Sequence, residues 1–316
     1  MAGSLAIGID IGGTKVAAGL VDEVGAVLRK VRRETPTTSP TATEETIIEV
    51  VRELSAGRDV VGVGIGAAGF VDADRSTVRF SPHLAWRHEP LREAVAGRVG
   101  LPVAIENDAN AGAWAEYRFG AGRGVAVLAC VNLGTGIGGG LVVDGVLMRG
   151  GYGMAAEFGH MTVVPDGRRC ECGNRGCWEQ YVSGKALAHE ARELASSGSP
   201  VAQALLARVA GDAAAITGEV VTAAARAGDP AAGELFDTMG HLLGVGLASL
   251  AAALDPTAFV IGGGVSEAGE LLLAPARDAF RRALTGRGYR PEAPIVAAAL
   301  GNDAGFIGAA DLARSG

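Results

Sequence analysis

Lysine and arginine form no long tract in this chain, and 28 basic residues are outnumbered by 35 acidic ones, for a formal charge of -7. That balance argues against nucleic acid or an anionic membrane as the main partner, because a polyanion calls for concentrated cationic surface. Missing too is an uninterrupted apolar stretch near the ~20 residues that a bilayer requires. The first strand-like segment, Leu5 to Asp10, has no basic n-region or cleavage-type segment before it. These absences lead to the expectation of a soluble, cytoplasmic protein whose ligand is small. Cysteine is scarce: there are four, and three of them fall in one short run. Thiolates reserved for a metal fit a reducing compartment.

What is present is apolar and rich in glycine. With 316 residues and 48% hydrophobic content the chain can bury substantial cores, and chains of this length usually divide into about two domains, which makes a cleft possible. Many of the 49 glycines sit at the ends of apolar runs, where backbone can approach a ligand. Leu5 to Asp10, Lys15 to Val21 and Val27 to Arg33 read as a strand meander broken by Gly12-Gly13-Thr14 and Asp22 to Gly25. Thr41 with Glu44 forms a capping box for a helix whose apolar face is Ile47, Ile48, Val51 and Leu54. Val60 to Gly66 predicts a strand, Pro90 to Val99 a helix, Val103 to Glu106 a strand and Asp108 to Phe119 a helix, so the first half is alternating α/β.

Gly120 to Gly124 is the boundary candidate. Beyond it, Val125 to Asn132 and Gly138 to Val143 predict a second meander, followed by helical stretches, a long helix from Ala231 to Leu254 and a strand from Ala258 to Ile261. Strand, glycine turn, strand occurs in both Ile7 to Val21 and Val127 to Val143, an echo that suggests a duplicated unit.

Zinc takes tetrahedral sets of soft or borderline ligands. Cys170, Cys172 and Cys177, spaced C-x-C-x4-C and preceded by His160, supply three thiolates and an imidazole. Cys170 and Cys172 are too close in sequence to bridge each other comfortably, and no open coordination position is evident, so a structural Zn2+ is expected. Two turns, Asp10-Ile11-Gly12-Gly13-Thr14-Lys15 and Gly134-Thr135-Gly136, can offer backbone N–H groups and a threonine hydroxyl to phosphates. Gly64-x-Gly66-x-x-Gly69 and Gly134-x-Gly136-x-x-Gly139 match dinucleotide spacing, but neither opens a predicted helix, so a Rossmann site is rejected.

Asp10 ends a hydrophobic strand where a carboxylate could meet hydrated Mg2+ on a nucleotide, or merely cap a turn. Gly262, Gly263 and Gly264 could let backbone pass a nucleotide base or ribose, or form a flexible strand end. In Glu106-Asn107-Asp108-Ala109-Asn110, a strand meets a helix. Asp108 is assigned as general base for phosphoryl transfer to a hydroxyl, against the alternative of a helix N-cap. Glu157, His160 and Glu179 flank the metal loop, which would hold them for polyol recognition; His160 could ligate zinc with one ring nitrogen and present the other to a ligand.

Together these motifs, with Glu157-Phe158-Gly159-His160 and Cys177-Trp178-Glu179-Gln180-Tyr181, resemble the ROK proteins, a family of bacterial sugar kinases and sugar-responsive repressors. The resemblance covers nearly the whole chain and, with Trp114-Ala115-Glu116-Tyr117, points to the family's ATP-dependent glucokinases. It implies a ribonuclease H-like, actin-type fold with a cleft between two α/β domains: a smaller one, residues 1–119, onto which a C-terminal helix at about 303–316 packs back, and a larger one, 120–302. It implies ATP and Mg2+ as cofactors, γ-phosphate transfer to the 6-hydroxyl of glucose, and a homodimer or homotetramer. Asp108 would be the base; Asn107, Asp108, Glu157, His160 and Glu179 would contact sugar. Asp10 would act near Mg2+, with Gly12, Gly13, Thr14, Lys15 and Gly134 to Gly136 on the phosphates. His160, Cys170, Cys172 and Cys177 would hold zinc.

His83, in Ser81-Pro82-His83-Leu84-Ala85-Trp86, stands where family members often carry asparagine, which predicts altered sugar affinity or selectivity. Kinases for fructose, mannose, allose or an N-acetylhexosamine are the alternatives. A non-catalytic sugar-binding regulator would need a DNA-reading helix-turn-helix; the chain enters its first strand by Leu5 and carries no basic footprint for one.

Overall fold

The computed structural model describes residues 4–314. Strands β1 (Leu5–Ile11), β2 (Lys15–Val21) and β3 (Val27–Glu34) precede helix α1 (Pro40–Ser55) and strands β4 (Val60–Ala67), β5 (Phe70–Val71), β6 (Val78–Phe80) and β7 (Arg87–Glu89). Next come α2 (Leu91–Val99), β8 (Val103–Asn107), α3 (Asp108–Phe119), β9 (Val127–Leu133), β10 (Ile137–Val143) and β11 (Val146–Leu147). The remainder holds α4 (Gly184–Ser196), α5 (Gln203–Ala207), α6 (Gly218–Arg226), α7 (Pro230–Leu254), β12 (Ala258–Gly262), α8 (Glu270–Ala283), β13 (Ile295–Ala297) and α9 (Ala304–Ala313). The last two positions of the C-terminal segment expected at about 303–316 lie outside the described residues.

Two compact units divide the chain. One comprises the described residues up to Ala129, Gly139–Ala156 and those from Ala299 onward; the other is Cys130–Gly138 with Glu157–Ala298. In the first unit the sheet runs β3-β2-β1-β4-β8, with β1 antiparallel to β2 and parallel to β4, and β4 parallel to β8. Register places Asp10 opposite Gly66, and Gly66 opposite Glu106, so the carboxyl ends of three strands finish in line. A strand's side chains alternate between faces. Ile7, Ile9 and Ile11 therefore share one core with Ile47, Val51 and Leu54 of α1 and Leu91 and Val95 of α2. The opposite face takes α9, whose Phe306, Ile307 and Ala310 cluster with Ala6, Val21 and Ala115. That helix lies so close that a Cβ on Gly8 would meet the Phe306 carbonyl and one on Gly64 the Ala309 carbonyl. The most basic stretch, Arg29 to Arg33 on β3, is partly neutralised by Glu53, which pairs with Arg29 and Arg33.

Helix α1 starts earlier than a Thr41–Glu44 box allows. Ser39 is the cap, its hydroxyl accepting from Ala42 N at 3.2 Å. Pro40 fills the first helical position, where its missing N–H costs nothing, so Thr41 is already inside the helix.

The second five-stranded sheet runs β11-β10-β9-β12-β13, the same order as the first sheet strand for strand; β9 and β10 contribute to both units. In the second unit α7 packs along α8, with Gly244 set against the Ala276 carbonyl, where a side chain would not fit. The expectation that nothing apolar nears membrane-spanning length needs amending: α7, 25 residues, is long and apolar enough. Its Phe236, Met239, Leu243, Leu247 and Leu250 are buried in this fold, the pattern of a core helix.

Candidate active site

In the first unit the site begins at the β1–β2 tip. Gly12 N donates to Lys15 O at 3.1 Å, Thr35 Oγ1 donates to Gly12 O at 2.8 Å, and Thr14 is exposed at the tip. A Cβ on Gly13 would stand 2.8 Å from His83 Cβ, and one on Gly305 would stand 2.8 Å from Asp10 Cγ. Asp10 therefore sits against the first turn of α9. Burial, reinforced by the Asp108 carboxylate, pushes Asp10 up to about 7, against the pull of Lys15. A cation bound beside this carboxyl would favour its ionised form and lower the pKa again.

Asp108 is the first residue of α3, but it is not the cap. Asn107 caps the helix, its side chain accepting from Asn110 N at 3.0 Å and donating from Nδ2 to Gly69 O at 3.1 Å. The Asp108 carboxylate accepts from Ala109 N at 2.9 Å. Burial raises its pKa; the Ala109 N–H and the nearby His83 oppose the rise. Just before it, buried Glu106 receives Arg149 Nε at 2.6 Å and Asn110 Nδ2 at 3.3 Å, with Arg75 Nε 3.7 Å away. Arg75, Arg149 and Gly305 escaped the sequence reading. The first two lie far along the chain from Glu106, and only the Gly301 to Gly305 cluster hinted at the third.

In the second unit one nitrogen or sulfur each of His160, Cys170, Cys172 and Cys177 lies within 4.8 Å of the others. Cys172 and Cys177 sulfurs are 3.6 Å apart, and Cys170 Sγ is 3.7 Å from His160 Nδ1. Zn–S bonds of about 2.3 Å at tetrahedral angles give edges of about 3.8 Å, so the donor set and its spacing fit zinc. Gly173 (φ 97°) and Gly176 (φ 75°) turn the loop back, as glycine permits. Burial drives the Cys170 and Cys177 thiols upward; a metal reverses this by binding thiolates. The fourth cysteine, Cys130, is buried in β9, apart from this set.

His160 turns Nδ1 toward Cys170 and lies with Nε2 4.0 Å from Glu157 Oε2, so its two nitrogens face different groups. Glu179 places Oε1 3.1 Å from Cys170 Sγ and 3.8 Å from His160 Nδ1, while its Oε2 accepts from Ile137 N at 3.4 Å. The turn before Ile137 closes through Gly134 N to Gly136 O at 3.0 Å, and Thr135 is exposed. Gly262 ends β12 against Asn132 Oδ1, and Gly263 (φ 81°) lies on the Leu133 carbonyl, so close approach to β9 demands both glycines. Gly264 opens a short 3-10 turn. Gly64 and Gly66 lie inside β4, and Gly136 runs into β10, so neither dinucleotide-like spacing opens a helix.

The structure thus groups Asp10, the first glycine turn, Asn107 and Asp108 in one unit, and the metal ligands, Glu157, Glu179 and the remaining glycine turns in the other. The ROK family profile matches residues 6–315. The glucokinase of Streptomyces coelicolor is 51% identical over 310 residues, 98% of either chain, and that of Thermotoga maritima 37% identical over 313 residues, 98% of this chain and 96% of that one. A solved ROK family glucokinase from Streptomyces griseus, in complex with glucose and AMPPNP, has a TM-score of 0.91 at 52% identity, covering 99% of this chain and 100% of that chain. A family match over residues 6–315 and alignments that cover nearly the whole chain, carried by a doubled α/β sheet, mean that the chain belongs to the ROK family and has its ribonuclease H-like, actin-type fold.

Proposed function

We propose that the chain is an ATP-dependent glucokinase in which Asp108 is the general base. The observation that carries the mechanism is the division of labour at the start of α3: Asn107 takes the capping role, which leaves the Asp108 carboxylate to serve a substrate. Near-full-length identity to glucokinases supports glucose as acceptor and ATP as donor.

Asp108 takes the proton of the 6-hydroxyl as that oxygen bonds to the γ-phosphorus and the bond to the bridging β–γ oxygen breaks, releasing ADP. A buried, raised carboxyl suits this task, since a base poised nearer neutrality takes the proton and later returns it. Asn107, Glu157, His160 and Glu179 hold the sugar hydroxyls. Residues Gly12 to Lys15 and Gly134 to Gly136 hold phosphates, and Gly262 to Gly264 let the nucleoside lie close. Mg2+, when bound near Asp10, offsets the phosphates' negative charge. Zinc on His160, Cys170, Cys172 and Cys177 is structural and fixes the loop that carries Glu179. The functional domains are residues 1–119 with the C-terminal helix at about 303–316, and residues 120–302; the enzyme works in the cytoplasm as a homodimer or homotetramer.

A coupled ADP-release assay with ATP, Mg2+ and a panel of hexoses tests this reading. Preference for glucose is expected. Preference for fructose, mannose, allose or an N-acetylhexosamine keeps the mechanism and moves the specificity to His83, which stands beside Gly13 and Asp108; no turnover with any sugar overturns the kinase.

A further inference from the structure

We propose that Glu179 is a positioning residue for the nucleotide: it sets the Gly134–Gly136 turn and ties that turn to occupancy of the metal site. This rests on the reading of that turn as a phosphate cradle, and adds a role beyond sugar contact. The two oxygens of one carboxylate serve two places. Oε1 lies 3.1 Å from the sulfur of Cys170, and Oε2 accepts the Ile137 N–H at 3.4 Å, at the exit of the turn. A Cβ added to Gly136 would run into that same Oε2, so the carboxylate and the glycine are fitted to each other.

Other contacts from the metal-bearing segments reach the same turn. Gly184 N, five residues after Glu179, donates to Gly134 O at 2.8 Å, which secures the entry. Gly159, beside His160, lies on the Ile137 carbonyl with no room for a side chain. Trp178 gives Glu179 a firm base, being fully buried and donating Nε1 to Leu242 O at 3.1 Å. The turn is therefore gripped at both ends by segments that adjoin metal ligands. Fixing Cys177 and His160 on a metal would fix the backbone two residues before Glu179 and next to Gly159, and with it the direction of the N–H groups offered to phosphate.

The test measures AMPPNP binding by calorimetry with no sugar present, so that lost sugar contacts do not enter, and follows zinc content in parallel. Glu179→Ala, with its zinc retained, is expected to weaken AMPPNP about tenfold, the scale of one lost hydrogen bond to a charged group. Glu179→Gln, which keeps an oxygen for Ile137 N, should recover most of that loss. Gly136→Ala should weaken binding in the wild-type background yet add little in the Glu179→Ala background, because the oxygen that the methyl would strike is gone. Stripping zinc should lower the affinity of the wild type by about tenfold and of Glu179→Ala by about twofold or less. Undiminished affinity in Glu179→Ala, additive losses in the double variant, or equal effects of zinc removal on both proteins would overturn the proposal. A wild type that binds no AMPPNP overturns the kinase reading beneath it.

Discussion

Asp10 carries a proton-linked cost that can be measured before any catalysis is assayed. Unfolded, its carboxyl releases its proton near 3.8; folded, it holds the proton up to about 7. The folded state thus binds more protons between those values, and this group weakens the fold progressively as pH rises through that window. Asp10→Asn should match the wild type in melting temperature near pH 4 and exceed it around pH 8, with Mg-nucleotide binding lost; parallel melting curves at both pH values would contradict the assignment. Asp108→Asn tests a different property, since an amide holds the same shape without accepting the proton. Turnover is expected to fall at least about a hundredfold, with sugar affinity, measured by calorimetry, largely retained. The positions of both aspartates were legible in the sequence, Asp10 near the end of an apolar strand before a glycine turn and Asp108 at the helix start that follows a strand. Arg75 and Arg149 were not, since nothing local to either shows that its partner is a buried glutamate elsewhere in the chain.

At the scale of elements, apolar periodicity located β1, β2, α3 and α7 to within a residue or two. It failed for β5, β6 and β7, strands of two or three residues that are too short to show alternation; for α1 it found the buried face, Ile47, Ile48, Val51 and Leu54, and only the cap moved, from Thr41 to Ser39. Glycine in strands had an ambiguous signature: Gly64 matched a dinucleotide fingerprint, yet its function is to admit α9. Gly64→Ala should therefore destabilise the fold by about 1–3 kcal/mol, through a methyl forced into helix backbone, as read by urea unfolding. The Cys3His cluster is the opposite case: that its four donors come together was legible because their spacing is local. Cys172→Ser should release zinc and lower both melting temperature and sugar affinity; a zinc-free variant with unchanged sugar affinity would detach the loop from the site.

Across the whole molecule, the echo between Ile7 to Val21 and Val127 to Val143 becomes a repeated strand order, β3-β2-β1-β4-β8 and β11-β10-β9-β12-β13. The two hairpin tips diverge in charge: Asp10 precedes Ile11 and Gly12 in one, and Asn132 precedes Leu133 and Gly134 in the other. A carboxylate suits a cation and an amide a neutral or anionic neighbour, which fits the proposal that both tips hold phosphates and that Mg2+ lies near the first alone. Repetition in the sequence made the doubling visible, whereas the docking of α9 onto the first sheet was expected from the family resemblance alone, since its apolar residues could have served any core. That docking bears on biosynthesis. Helix α9 supplies Phe306 and Ile307 to one face of the sheet formed by β1, β2 and β4, so that face waits for a segment made after α8, whereas the face covered by α1 and α2 does not. The second unit's long continuous segment, Glu157–Ala298, is synthesised before α9, so the first unit is the last to have its chain complete, in contrast to a simple N-terminal-first order of domain folding.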